Sequence, residues 1–463
     1  MILVAAAILR LHRLDAESAW LDEAFAIGIA RTDVAGILHE TRLDVHPPLY
    51  YFILHGWVLL FGGSVWTARL LSVVCSVGIL AATYVVGARL VSRPVGLTAV
   101  ALLAVSVFQV EFAQEARMYA LLTLFATMST YGFIRLFERP RLHWFLLYVV
   151  ITALMVYTHV YATFIIGAQG VSLVADVLYR RGASRDVLVR WLGALALVFA
   201  AFLPWLSVFV WQVSLVQKNF WIGEPEWNGI LSAFLTYAGS SWLYYIYLAL
   251  LALGLVHLWR RPRAPEIERP ALFFLVPWLL GPIVFPFVLS LVGSPIFLPK
   301  YTIAAAVPFA LLVASGLASL PFRVVRTAAL VACLVLSLQT LPAFYNTQTK
   351  DGWREAVAAV ETTAQPGDLI VLYPYFNQIA FNFYLQRDDV VVRPFPVFAT
   401  LPPEDGWNVV MQRAVTDYHR VWFVTLRSDA SANVVIEQFQ RQFVERSNQV
   451  VQKIAVYQFE GRR

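Results

Sequence analysis

An α-helical polytopic membrane protein with a small C-terminal α/β domain is the architecture that three features of this sequence predict. The 463-residue chain is 59% hydrophobic and only 14% charged, with a mean hydropathy of +0.67, which is too apolar for a soluble protein of this length. Its apolar residues gather into runs long enough to cross a bilayer over roughly the first 345 positions. Beyond that point Asp, Glu, Gln and Asn return and the long runs stop. The expected division is therefore 1–345 for the membrane domain, with 10–62 as its first outer loop, and 346–463 for a domain outside the bilayer.

The runs lie near 66–88, 96–112, 119–137, 144–158, 160–178, 191–212, 230–258, 271–292, 302–320 and 327–342. Met1 to Leu9 is apolar but about half the length needed to cross, so the rest of that span is expected upstream. With it the chain makes about eleven crossings, an odd number that puts its two ends on opposite sides. Residues 49–61 are also apolar, but counting them as a crossing would invert every later loop. They read instead as a short aromatic helix lying in the interface and ended by Gly62-Gly63.

Orientation follows from the arginines. They fall in Arg89 and Arg93, then Arg135, Arg139 and Arg141, then Arg180, Arg181, Arg185 and Arg190, then Arg260, Arg261, Arg263 and Arg269, then Arg323 and Arg326. Every second loop is thus arginine-rich and is expected on the cytoplasmic side of the plasma membrane. The intervening loops hold Asp22, Glu23, His46, Glu115, Arg117, Glu224, Glu226 and Lys300, so the unusual polar residues and the C-terminal domain collect on the extracytoplasmic side. The net charge of +6 arises largely in these tufts, and nucleic acid is not expected as a partner. Cys75 and Cys333, the two cysteines, sit in separate apolar runs and form no disulfide framework or thiolate metal motif.

In the C-terminal domain Pro366-Gly367-Asp368 reads as a turn. Periodicity predicts helices over 352–363, 405–418 and 430–443 and strands over 369–373, 389–393, 420–426 and 450–459. No glycine-rich phosphate loop, nucleophile elbow or metal motif is present there.

Six segments are candidates for carrying chemistry. Asp22-Glu23 is an acidic pair pinned between Trp20-Leu21 and Ala24-Phe25-Ala26-Ile27, where a partly desolvated carboxylate suits proton abstraction; a helix cap or an interfacial ion pair is the competing reading. His46-Pro47-Pro48 closes the loop, the histidine either capping a turn or meeting substrate. Gln114-Glu115-Ala116-Arg117-Met118-Tyr119 stands between two spans. An ionisable group at mid-bilayer costs about 2.5–3.5 kcal/mol, so Glu115 and Arg117 lie at the interface or have partners, as a functional pair or as a snorkelling one. Tyr157-Thr158-His159-Val160-Tyr161 and Leu298-Pro299-Lys300-Tyr301 mark further outer turns, with Lys300 either a phosphate clamp or a membrane anchor. The loop 214–229, with Lys218, Trp221, Glu224 and Trp227, has a mix that suits sugars or an interfacial belt.

In this order the motifs resemble the GT-C membrane glycosyltransferases, specifically family 39, which includes protein O-mannosyltransferases and lipid A aminoarabinose transferases. The matching pieces are Trp20-Leu21-Asp22-Glu23, His46-Pro47-Pro48-Leu49, Gln114 to Tyr119, and Pro299-Lys300-Tyr301. The resemblance covers roughly residues 1–345. It implies a polyprenyl- or dolichyl-phosphate sugar donor and a hydroxyl acceptor on a protein, lipid or glycan. It implies Asp22, with Glu23 beside it, in the catalytic position, and His46, Glu115, Arg117, Tyr119, His159, Lys300 and Tyr301 against substrate. Lys300 falls where related sequences often carry arginine. A phosphate on the anomeric carbon is already a competent leaving group, so a base for the acceptor and cations for the phosphate suffice, and direct displacement with inversion is expected. No obligatory metal is expected; Asp22, Glu23 and Glu115 are the carboxylates that would share a divalent cation if one bound. A transporter or flippase of lipid-linked sugars is the runner-up reading, although its key charges would sit nearer mid-membrane. A membrane-anchored binding protein is the third.

Overall fold

A computed structural model describes residues 1–138, 141–180, 185–219, 222–260, 270–395, 418–427 and 432–461. The helix expected over 405–418 lies outside them, apart from residue 418, as do Arg139, Arg181, Arg261, Arg263, Arg269 and Trp221, and the side chain of Lys218. The chain forms two compact units, Met1–His12 with Ile29–Asn346, and Arg13–Gly28 with Thr347–Arg463. The second unit thus takes in sixteen residues of the first loop, Arg13–Gly28, besides the C-terminal segment.

In the first unit all ten apolar runs are helical. Among the described residues seven helices are long and apolar enough to cross a membrane: Val65–Leu90, Tyr119–Glu138, Arg185–Gln217, Ser241–Arg260, Leu272–Val292, Pro299–Ser319 and Arg323–Asn346. An eighth is a broken span, Arg93–Val105 followed by Val107–Ala113 at 65°. Ile2–Leu11, Leu142–Val156 and Ala162–Leu178 are shorter apolar helices. The run 230–258 divides, because Gly239 at φ +77° ends Gly229–Ala238 in a left-handed cap before Ser241–Arg260 begins. Helix Leu49–Phe61 stops, as read from the sequence, at Gly62, whose φ is +87°.

Two of these helices touch backbone to backbone. A Cβ placed on Gly316 would lie 1.9 Å from the Leu250 carbonyl oxygen, and one on Gly254 would lie 2.1 Å from that of Leu312. Glycine is therefore required on both sides of this contact between Ser241–Arg260 and Ala306–Ser319. At the arginine-rich ends, Glu138 accepts from Arg89 and from Arg135, each at 2.6 Å, so helices Val65–Leu90 and Tyr119–Glu138 terminate side by side. The other end of Tyr119–Glu138 carries the motif residue Tyr119.

The second unit holds a five-stranded sheet of β1 (Leu369–Tyr373), β2 (Val391–Pro394), β3 (Arg420–Leu426), β4 (Phe443–Val451) and β5 (Ile454–Gly461), in the order β2-β1-β3-β5-β4. β2, β1 and β3 are parallel, while β5 runs antiparallel to β3 and to β4. The unbroken apolar run Leu-Ile-Val-Leu-Tyr of β1 is buried along its whole length because helices cover both faces of a central strand. Ile370, Leu372, Trp422 and Val424 pack with Trp353–Thr363 on one face; Leu369, Val371, Val421 and Phe423 pack with Ala432–Gln442 on the other. The single strand expected over 450–459 is instead a hairpin of β4 and β5, turning at Gln452 with φ +54°. β4 reads Glu-Arg-Ser-Asn-Gln through its middle and is mostly exposed, an edge strand held by pairing and not by side-chain pattern. The short helix Asn377–Tyr384 was not expected either.

Candidate functional site

Within the first unit, turns that are far apart in sequence meet. His46 is delivered by the loop that Pro47 and Pro48 stiffen, and the Leu49 amide donates to the Tyr157 carbonyl at 3.1 Å, which docks that loop on the turn carrying His159. The two imidazoles lie 4.9 Å apart, centroid to centroid. Tyr119, at the start of its helix, stacks on Tyr301 at 5.8 Å, and Tyr301 approaches His159 at 5.7 Å. Lys300 Nζ lies 5.5 Å from the Tyr301 ring centre. His46, Tyr119, His159, Lys300 and Tyr301, all singled out in the sequence, are thus neighbours.

The electrostatics keep both imidazoles neutral. Burial pushes the pKa of His46 well below its ordinary value, and the positive charges of Arg117 and Lys300 push it further. Burial acts in the same way on His159, followed by His46 and Arg117. His159 Nδ1 accepts the Tyr161 amide at 3.0 Å, so its ring proton resides on Nε2. That Nε2–H and the Nδ1 of His46 are buried without a hydrogen-bond partner. A buried donor that the protein leaves unused, beside two nearby positive charges, is chemically suited to meet an anionic oxygen.

Beside them is a cavity of about 410 Å³ lined by His46, His159, Tyr161, Gln212, Ile296 and Tyr301 among others. A second cavity, of about 380 Å³, is walled by Pro47, Leu195, Phe199, Phe202 and Leu206 and is apolar almost throughout. Val160, Thr163 and Phe209 line both, so the two adjoin.

The Glu115–Arg117 segment is built from behind. Glu115 and Arg117 are buried, and Ser72 Oγ donates to the Glu115 carbonyl at 2.6 Å. Just before them, Gln114 donates to the carbonyls of Arg10 at 2.9 Å and His12 at 2.8 Å. Arg10, wholly buried, donates to Ser76 and to the carbonyls of Leu103 and Ala104, which the break of the span at Ser106 leaves without helical partners. An arginine inside an apolar segment is explained here by the broken helix it mends.

Asp22 and Glu23 occupy the first turn of helix Leu21–Ala30, where acidic side chains suit the helix dipole. Both belong to the second unit. Glu23 is fully buried and holds Lys350 Nζ at 3.1 Å. Among the described residues no group of three or more His, Cys, Asp or Glu side chains is gathered to hold a metal ion.

Two contributors escaped the sequence reading. Gln212 donates to the carbonyls of Thr41 and Asp44 at 2.9 and 2.8 Å and is among the residues lining the cavity, its Oε1 buried without a hydrogen-bond partner; its signal is a lone amide in an apolar run. Arg10 is a lone cation in the half-length N-terminal segment.

Comparison with known proteins follows this geometry. The family model for dolichyl-phosphate-mannose-protein mannosyltransferase matches residues 45–211, the stretch that contributes His46, Glu115, Arg117, Tyr119 and His159. No curated protein matches by sequence. Among solved structures, ArnT from Cupriavidus metallidurans in the apo state matches with a TM-score of 0.68 at 12% identity, covering 99% of this chain and 97% of that one. The same protein bound to undecaprenyl phosphate gives 0.63 at 14% identity, with coverage of 99% and 97%. Archaeal oligosaccharyltransferase AglB from Archaeoglobus fulgidus, in complex with an inhibitory peptide and a dolichol-phosphate, gives 0.59 at 11% identity over 92% of this chain and 69% of that one. The chain therefore has the GT-C fold of membrane glycosyltransferases from end to end, and its residues 45–211 match the mannosyltransferase family.

Proposed function

We propose that this protein transfers a sugar from a polyprenyl- or dolichyl-phosphate carrier to an acceptor hydroxyl on a protein, lipid or glycan. The observation that carries the reading is the pair of adjoining cavities, one a largely apolar wall set with the polar groups of His46, His159, Tyr161, Gln212 and Tyr301, the other apolar almost throughout. An isoprenoid phosphate has that duality: an anion on a long hydrocarbon chain. The sugar-bearing phosphate meets Arg117, Lys300 and His159 Nε2–H, while the chain runs along Leu195, Phe199 and Phe202. The relatives support the carrier class, since ArnT is described bound to undecaprenyl phosphate and AglB to a dolichol-phosphate.

In the reaction the bond from anomeric carbon to phosphate oxygen breaks and the electron pair leaves with the phosphate. Arg117 and Lys300 stabilise the charge that develops there. Asp22 is proposed, from the first-loop motif, as the base that takes the acceptor's proton, with inversion at the sugar carbon. Because side-chain cations meet the phosphate, the scheme needs no metal. Sidedness belongs to the proposal too. Arg89 and Arg135 meet at one end of their helices while Tyr119 stands at the other end of its own, and the positive-inside tendency of the arginine-rich loops supports a reading in which the chemistry lies outside the cytoplasm, as does the C-terminal domain.

The test is reconstitution in EDTA with a panel of radiolabelled polyprenyl-phosphate sugars. Wild-type protein transfers label, and Asp22→Asn binds donor but loses turnover. Full turnover in Asp22→Asn, or a trapped sugar–enzyme covalent intermediate, refutes the mechanism.

A further inference from the structure

The C-terminal domain has no motif of its own, yet one stretch of the first loop is built into it. From Asp15 to Ala24 the chain is fastened at nearly every second residue. The Glu17 carboxylate accepts from the Thr349 hydroxyl at 3.0 Å and from the Lys350 amide at 3.2 Å. Ser18 Oγ donates to Glu355 at 2.6 Å and accepts the Arg354 amide at 3.3 Å. The Ala19 amide donates to the Tyr384 hydroxyl at 2.6 Å. Glu23, with no exposed surface, holds Lys350 Nζ at 3.1 Å. Ala24 is buried in the same apolar cluster as Trp353, Ile370, Leu372 and Phe381. Asp22 sits between the attachments at Ala19 and Glu23.

We propose that the C-terminal domain is the mount of the catalytic turn, with Lys350 and Glu23 as positioning residues that aim Asp22 and do not themselves touch substrate. This rests on Asp22 being the base. A buried carboxylate is costly unless paired, and here the pairing partner comes from a segment more than three hundred residues away. The ion pair and the Ala24 contact therefore determine how the first turn of Leu21–Ala30 sits against its own domain. A base that must lie within hydrogen-bond reach of an acceptor hydroxyl loses rate steeply when displaced by about 1 Å. The donor cavity draws on none of these residues, so the effect falls on kcat and not on donor binding.

The experiment uses the full chain, purified and reconstituted, with Lys350→Met, Glu23→Gln and the double variant. Each is expected to lower kcat by about 10- to 100-fold with donor KM within about twofold of wild type. The double variant is expected to be no worse than the poorer single one, because both break one interaction. Tyr384→Phe, which keeps the ring and releases the Ala19 amide, serves where a charge variant does not fold; its kcat is expected to drop about three- to tenfold. Unchanged kcat in a folded Lys350→Met or in Tyr384→Phe overturns the proposal. So does a far greater loss in Glu23→Gln than in Lys350→Met, which would make Glu23 a catalytic group. If Asp22→Asn retains full turnover, the base assignment fails and the inference with it; if Asp22→Asn is inactive while Lys350→Met is fully active, the inference alone fails.

Discussion

Replacing His159 with phenylalanine isolates what the cavity offers to a phosphate. The ring shape is kept, so the contacts with His46, Tyr119, Tyr161 and Tyr301 survive. Two nitrogens are lost. Nδ1 accepts the Tyr161 amide, and leaving that buried donor unsatisfied costs about 1–3 kcal/mol of stability, visible as a lower Tm in detergent. Nε2–H has no partner in the protein, so its loss costs the free protein nothing. A hydrogen bond from this donor to a phosphate oxygen is worth about 1.5–3 kcal/mol, since the acceptor is charged. Its removal should therefore raise the Kd for undecaprenyl phosphate roughly 10- to 150-fold. Isothermal titration or tryptophan fluorescence on the purified variant at pH 7.5 measures this. A lower Tm with an unaltered Kd would show that the Nε2–H faces no anion and would refute the assignment of this cavity to the carrier phosphate.

The same imidazoles make stability depend on pH. Their folded pKa values lie well below the ordinary 6.5, so below that pH the unfolded chain binds more protons than the folded one, and stability falls as pH falls. Each imidazole contributes a slope of up to about 1.4 kcal/mol per pH unit below 6.5. Tm recorded between pH 7.5 and 5.5 should drop more for wild type than for the His46→Gln/His159→Gln double variant, and equal drops would contradict neutral burial. Gly316→Ala should separate helices Ser241–Arg260 and Ala306–Ser319, since its Cβ would overlap the Leu250 carbonyl; a loss of about 1–3 kcal/mol is expected, and a wild-type Tm would argue against the contact.

Much of this protein is written in its sequence because burial in a bilayer is a one-dimensional demand. Runs such as 271–292 must satisfy every backbone group internally and so become helices wherever they stand. Gly62 ends a helix by its own conformational freedom, and the arginine tufts mark alternate loops by their charge alone. His46, Tyr119, His159, Lys300 and Tyr301 stood out in the same way, as polar or aromatic residues at the ends of apolar runs.

What the sequence left open depends on contacts between distant segments. Strand β4, polar through its middle, exists because β5 pairs with it, and no side-chain period announces it. Arg10 reads as a stray cation until the broken span supplies carbonyls for it. Asp22-Glu23 reads as one acidic pair, and nothing local announces that folding buries Glu23 against Lys350 from the far end of the chain. Local pattern decides which segments leave water and what shape each takes; which polar groups then meet is settled by packing, because a buried charge or hydrogen-bonding group is stable only beside a partner that the fold brings to it.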